Sequence, residues 1–144
     1  MKNKEEINRS LAITLLRSRE AVMDRFRPML ASAKITEQQW RVLRGLSEHG
    51  EVEAGKLAYI ACILPQSLSR IVRNFEKKHL IFMKNDPSDA RKILLSLTDK
   101  GKILMSRATI DSKEIYSQLI EDFGRENLEQ LLEKLNLLQS TLNL

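Results

Sequence analysis

The sequence predicts a mainly α-helical protein with one small β-hairpin set among its helices. Three observations predict it. Apolar residues recur at steps of three and four over most of the chain, the period of helices with one buried face. Only 5 Gly and 3 Pro occur in 144 residues, too few turn formers for an all-β fold. One stretch, "LIFMKNDPSDARKILLSLT" from Leu80 to Thr98, abandons the helical period for two β-prone runs around a polar turn.

The elements follow in order. From about Glu5 to Leu30, Ile7, Leu11, Leu15, Val22, Phe26 and Leu30 mark one stripe of a long helix, with Pro28 near its end. In "KITEQQWRVLRGLSEHG", Thr36 and Gln39 have capping-box spacing, Trp40, Leu43 and Leu46 form a buried face, and Gly50 suits the C-terminal end. "EVEAGKLAYIACI" gives a short third helix with Leu57, Ala58 and Ile60 to Ile63 as apolar positions. Pro65 fits the first position of a fourth, where its missing N–H is not needed. Ile81–Lys84 and Lys92–Leu97 form the hairpin, with Asp86, Pro87, Ser88 and Asp89 in its turn.

Two long helices close the chain. One starts near Thr98 and carries Ile103, Ile110, Ile115, Leu119 and Phe123. The other starts near Arg125 and carries Leu128, Leu131, Leu132, Leu135, Leu138 and Leu142 at heptad-like spacing. The length suits a single domain over 1–144. Two short helices followed by a basic hairpin make the 36–98 region a winged helix-turn-helix. The helices of 1–34 and 99–144 have more apolar stripe than that module covers, so they are expected to meet each other and a second subunit, as dimerisation helices, the alternative being an intramolecular bundle.

Charge narrows the function. The chain carries +5 overall, and Lys56 to Lys92 alone holds eight Lys/Arg against three Asp/Glu. The remaining sixteen of each sign cancel, so the whole excess lies in the segment containing the fourth helix and the hairpin. Localised basicity of this kind fits a polyphosphate partner. In "LPQSLSRIVRNFEKKHL", Leu68, Ile71, Val72 and Phe75 line one face, while the other carries cationic, amide and hydroxyl groups with no acid before Glu76. A solvated face ordinarily mixes both signs.

Other classes find little support. The N-terminus "MKNKEEINRS" lacks the apolar core of a signal peptide, and no apolar run approaches the roughly 20 residues that span a bilayer. A single cysteine, Cys62, excludes an intrachain disulfide framework and fits a reducing cytoplasm. Two histidines, His49 and His79, have no evident ligand partners, so no metal or other cofactor is expected. No glycine-rich phosphate loop or nucleophile constellation points to an enzyme. A non-sensing architectural DNA-binding protein and a protein-interaction bundle remain as alternatives. The second leaves the localised charge unexplained.

At this point the sequence resembles the MarR family of bacterial transcription regulators over nearly its whole length. The carrying motif is "DPSDARKILLSLTDKG", similar to the family's wing signature, with Asp86, Asp89, Arg91, Leu97, Thr98 and Gly101 at its positions. "SLAITLLRSREAVMDRFRP", "ITEQQWRV" and "ACILPQSLS" look most like the HpaR/HpcR branch, repressors of homoprotocatechuate and 4-hydroxyphenylacetate degradation operons. The chain departs from many members at Lys78-His79, where an Asp-Gly or Arg-Gly turn is common. "QSLSRIVRN" also differs from other branch members, so no operator sequence is implied.

The resemblance implies a homodimeric repressor of double-stranded operator DNA, with the fourth helix in the major groove. Gln66 and Ser67 then meet phosphate at the helix N-terminus. Ser69, Arg70, Arg73 and Asn74 face base edges, where Arg suits guanine and Asn adenine. Lys77 and Lys56 touch phosphate. The wing brings Lys84, Arg91 and Lys92, with Arg91 reaching the minor groove while Asp86 and Asp89 structure the turn. The other reading makes Arg91 a surface ion pair.

The resemblance also implies release by a small aromatic carboxylic acid, which needs a cation and an apolar slot. Arg17 and Arg19 beside Met23, and Trp40, Arg41 and Arg44, are the candidates, with Arg19 first for the carboxylate. Alternatively, Arg19 and Glu20 make ordinary ion pairs and Trp40 is core. Another phenolic ligand, or oxidation at Cys62, is a further alternative. Cys62 lies among apolar Ala61, Ile63 and Leu64 and reads better as a buried small hydrophobe.

Overall fold

The computed structural model describes residues 3–142, without the side chains of residues 4–9, so the expected apolar position Ile7 lies outside the described side chains. The order is α1 (Lys4–Ala33), α2 (Glu37–His49), β1 (Val52–Glu53), α3 (Ala54–Ile60), α4 (Pro65–Lys77), β2 (Ile81–Asp86), β3 (Asp89–Leu97), α5 (Asp99–Phe123) and α6 (Arg125–Thr141). The chain forms two compact units, residues 1–109 and residues 110–144, with α5 running through the boundary.

Within the first unit, the core is built from the faces the periodicity assigns. Leu43 and Leu46 of α2, Leu57 of α3, Phe75 of α4 and Leu95 of β3 are all at most 2% exposed. Burying each such side chain is worth roughly 1.5–3 kcal/mol, so this cluster fixes how α4 sits on the rest. Thr36 caps α2 with the expected reciprocal box: its Oγ1 accepts the Gln39 N–H and the Gln39 side chain accepts the Thr36 N–H.

Three features differ from expectation. Pro28 lies inside α1, which continues to Ala33 because Met29 and Leu30 are buried and hold the last turns in place. The hairpin strands extend further into the turn, with register from Ile81↔Leu97 to Asn85↔Ile93 and a shift before Asp86↔Asp89. A third strand, β1, pairs with β3 at Val52↔Leu95 and makes the sheet order β1-β3-β2. Two residues are too few to show strand alternation, although Val52 is 4% exposed.

One C-terminal device recurs. After α1, α3 and α4 a non-glycine residue takes a left-handed conformation: Lys34 (φ 58), Cys62 (φ 54) and His79 (φ 59). In each case the next residue, Ile35, Ile63 or Leu80, is buried and sends its N–H back five positions, to the carbonyls of Leu30, Ala58 and Phe75. This is the Schellman arrangement, in which the apolar residue after the turn is driven into the core. It also corrects the reading of Cys62: the left-handed turn sends Ala61 and Ile63 inward and leaves Cys62 exposed.

The terminal helices expose apolar surface. On α1, Leu11, Leu15, Leu16 and Val22 lie open to solvent while Phe26 and Leu30 are buried. In the second unit, α6 buries no residue, and Leu131, Leu132, Leu137 and Leu142 are exposed.

Candidate nucleic-acid interface

The α4 helix begins where the chain chemistry requires. Leu64 is extended, Pro65 takes the first helical position, and no side chain caps the exposed N–H groups. Its buried face is Leu68, Ile71, Val72 and Phe75. Gln66, Ser69, Arg70, Arg73, Asn74 and Lys77 are exposed, as expected, and Ser67 is half-buried. Two of the polar side chains lie back along the helix. The Ser69 hydroxyl donates to the Pro65 carbonyl at 3.1 Å, and Arg73 Nε donates to the Ser69 carbonyl at 3.3 Å. Lys56 stands exposed on α3.

In the hairpin, Asp86 Oδ1 accepts both the Ser88 N–H at 2.9 Å and its hydroxyl at 2.7 Å. These bonds favour the carboxylate and hold Asp86 below its ordinary range, with Lys92 and Lys84 adding minor attraction. Asp89 Oδ1 accepts the Arg91 N–H at 3.1 Å and its Nε at 3.2 Å. Arg91 is thereby steered by its neighbour while its side chain stays 92% exposed. Lys92 is exposed, whereas Lys84 pairs with Glu51 at 3.0 Å and enters any contact partly neutralised.

The candidate effector residues are scattered in character. Trp40 is 6% exposed and belongs to the core. Met23 is half-buried and Arg17 exposed. Arg41 is engaged elsewhere: its Nε donates to the Ala61 carbonyl at 2.8 Å, satisfying the end of α3. Arg44 pairs with Glu48 at 2.8 Å, one turn along α2. Arg19 bonds Glu37 at 2.8 Å and approaches Glu20 at 3.6 Å. Arg27 joins the same cluster through Glu20, Asp24 and Glu37.

Sequence reasoning missed Glu37 as the partner of Arg19, although an acid in the first turn of a capped helix is a favourable placement that could have flagged it. It also missed the joint between the end of α4 and the start of α5. There the Thr98 hydroxyl donates to the His79 carbonyl at 2.6 Å, and Lys100 Nζ donates to the Lys78 carbonyl at 3.1 Å. No group of three or more His, Cys, Asp and Glu that could hold a metal occurs among the described residues. None of the described helices is long and apolar enough to cross a membrane.

Comparison with known proteins fits this geometry. The MarR family profile matches residues 35–93. The homoprotocatechuate degradative operon repressor of Escherichia coli is 41% identical over 122 residues, covering 85% of this chain and 82% of the repressor. Among solved structures, NadR in complex with 4-hydroxyphenylacetate is 39% identical with a TM-score of 0.81, over 90% of this chain and 92% of that one. The transcriptional repressor CouR, bound to a 23-mer DNA duplex, is 27% identical with the same TM-score of 0.81, over 96% of this chain and 98% of CouR. A winged helix with an exposed basic face on α4, in a chain this similar to the Escherichia coli repressor over most of both lengths, belongs to the MarR family of transcription regulators.

Proposed function

We propose that the protein is a homodimeric repressor that binds a pseudo-palindromic operator and is released by a small aromatic carboxylic acid of the 4-hydroxyphenylacetate type. The carrying observation is the face of α4. Arg70, Arg73 and Asn74 stand exposed on a face that carries no acid before Glu76, while the opposite face is locked in the core, in a chain 39% identical to a protein solved with 4-hydroxyphenylacetate. A rigid helix with exposed Arg and Asn is the chemistry that reads base edges, and the steered Arg91 adds a wing contact. Gln66, Ser67, Ser69, Lys77, Lys84 and Lys92 supply the surrounding phosphate and groove contacts.

The exposed leucines of α1 and those of α6 support dimerisation through the 1–34 and 99–144 helices, since large apolar side chains left open to solvent on an amphipathic helix mark a face that a partner covers. Two α4 helices related by a two-fold axis then read half-sites roughly 34 Å apart. The protein acts in the cytoplasm, by binding and not by catalysis.

For the effector, Arg19 and Arg44 offer the cations, with Arg17 nearby in sequence, and Met23 and the edge of Trp40 offer apolar wall. Arg19 already holds Glu37, so an incoming carboxylate must compete with an internal one. Release needs only a preference of the acid for the dimer shape whose recognition helices are wrongly spaced.

The test is fluorescence anisotropy on the protein's own upstream DNA at fixed salt, with and without 4-hydroxyphenylacetate. Nanomolar, sequence-selective binding relieved by the acid is expected. Tight binding indifferent to that acid and to other aromatic acids overturns the sensor half of the reading. Binding without sequence preference overturns the operator half.

A further inference from the structure

The two ends of the hairpin segment, Lys78 to Leu80 and Thr98 to Gly101, join the end of α4 to the start of α5 in a way that one side chain controls. Thr98 immediately precedes α5 and is 8% exposed. Its Oγ1 accepts the Gly101 N–H at 3.0 Å, capping α5, and donates to the His79 carbonyl at 2.6 Å, closing the turn after α4. Its backbone N–H meets the Leu80 carbonyl at 3.0 Å. Lys100 Nζ reaches the Lys78 carbonyl, and a Cβ on Gly101 would collide with the Leu80 carbonyl oxygen. Four consecutive backbone positions at the exit of α4, from Lys78 to Ile81, are therefore either bonded to the α5 N-terminus, pressed against it or paired in the sheet.

The double duty restricts the chemistry. A carboxylate caps a helix well but cannot donate, while a methyl can do neither; a single atom that both accepts and donates is a hydroxyl. The caps of α2, α3 and α4 are not built so. Thr36 works within its own helix, the Glu53 carboxylate accepts from Gly55, and Leu64 offers no side-chain cap.

We propose that Thr98 is a positioning residue for operator recognition: its hydroxyl sets the recognition helix against α5, so that the C-terminal half of α4, which carries Arg73, Asn74 and Lys77, is held in the orientation that discriminates bases. The inference rests on α4 being the operator-reading helix. Base readout requires side chains held to within about half an ångström, whereas phosphate attraction tolerates displacement. Loosening the joint therefore costs discrimination between operator and unrelated DNA before it costs non-specific binding.

The experiment measures affinity for the upstream operator fragment and for a scrambled duplex, at one salt concentration and well below the melting temperature. The proteins are wild type, Thr98→Val, Thr98→Ser and Arg73→Ala. A fall in the operator-to-scrambled ratio in Arg73→Ala checks the α4 reading independently. Thr98→Val is expected to lower that ratio about fivefold to tenfold, the equivalent of one buried hydrogen bond, while Thr98→Ser restores it to within about twofold.

A folded Thr98→Val protein with an unchanged ratio overturns the proposal, whatever its melting temperature. Should Thr98→Val fail to fold, Thr98→Asp keeps an accepting oxygen for the Gly101 N–H at the start of α5 and removes only the donation to the His79 carbonyl. A lowered operator-to-scrambled ratio in that variant supports the joint, and an unchanged ratio refutes it.

Discussion

Arg19 Nη2 lies 2.8 Å from Glu37 Oε2, so the middle of α1 is tied to the first turn of α2 by an ion pair that a second guanidinium, Arg27, reinforces at 3.1 Å. The Arg19 hydrogen bond is the main reason the Glu37 carboxyl is held below its ordinary range; burial opposes it, and the Arg27 hydrogen bond adds to it. A carboxyl whose folded value lies below its unfolded one contributes stability above the unfolded value and loses it as the pH falls through the folded one.

Glu37→Gln should therefore cost less than about 1 kcal/mol near neutral pH, because Arg19 is half exposed and solvent screens the pair. The difference from wild type should shrink as the medium becomes acidic enough to protonate Glu37 itself. Urea unfolding of both proteins between neutral and acidic pH measures it. A gap that stays constant across that range would show that the charge on Glu37 is irrelevant to the fold.

The left-handed residues after α1 and α3 carry a second expectation. An L-residue in this region costs roughly 1–2 kcal/mol relative to the right-handed one, a cost glycine avoids while paying about 0.5–1 kcal/mol in chain entropy. Lys34→Gly and Cys62→Gly, both at exposed positions, should each raise the melting temperature by about 2 °C. Lys34→Val and Cys62→Val should lower it, since a β-branched side chain suits this backbone worst. Differential scanning fluorimetry of the four variants decides it. Equal effects of Gly and Val at one site would mean that strain is not what the native residue bears there.

These turns also show what the sequence made legible. The α4 faces were readable because Leu68, Ile71, Val72 and Phe75 repeat at the helical period and Pro65 marks the start. Thr36 and Gln39 announced their cap by spacing alone. Cys62 was misread because apolar neighbours imply burial only while the chain keeps one conformation, and a single left-handed residue inverts which side faces the core. Strand β1 escaped notice because pairing with β3, not its own two-residue pattern, defines it. Arg19 and Glu37 are separated by eighteen positions and meet only through the packing of α1 on α2, which no local pattern encodes.

The wing offers a test of steering. Asp89 Oδ1 receives two bonds from Arg91, one from the backbone and one from the guanidinium. Arg91→Ala should weaken operator binding and reduce the salt dependence by about one phosphate equivalent. Asp89→Asn keeps the accepting oxygen and should bind nearly as wild type, whereas Asp89→Ala frees the side chain and should lose part of what Arg91→Ala loses. Anisotropy titrations at several salt concentrations separate these cases. Wild-type affinity in Asp89→Ala would mean that Arg91 needs no guidance.

On α4, Arg73 and Lys77 stand one turn apart on the exposed face but are assigned different work. Arg73 arches along its helix, Nε on the Ser69 carbonyl, so its fork is partly oriented before DNA arrives. Lys77 in the last turn is a point charge on a flexible stem. Arg73→Ala should cost about 1–3 kcal/mol on the operator, and the loss should concentrate at one base pair of each half-site when single substitutions are scanned. Lys77→Ala should weaken every sequence alike and lower the salt slope by about one. If Lys77→Ala shifts base preference while Arg73→Ala lowers affinity evenly, the two roles are exchanged. In that case the helix sits in the groove with its C-terminal turn, and not its middle, against the bases.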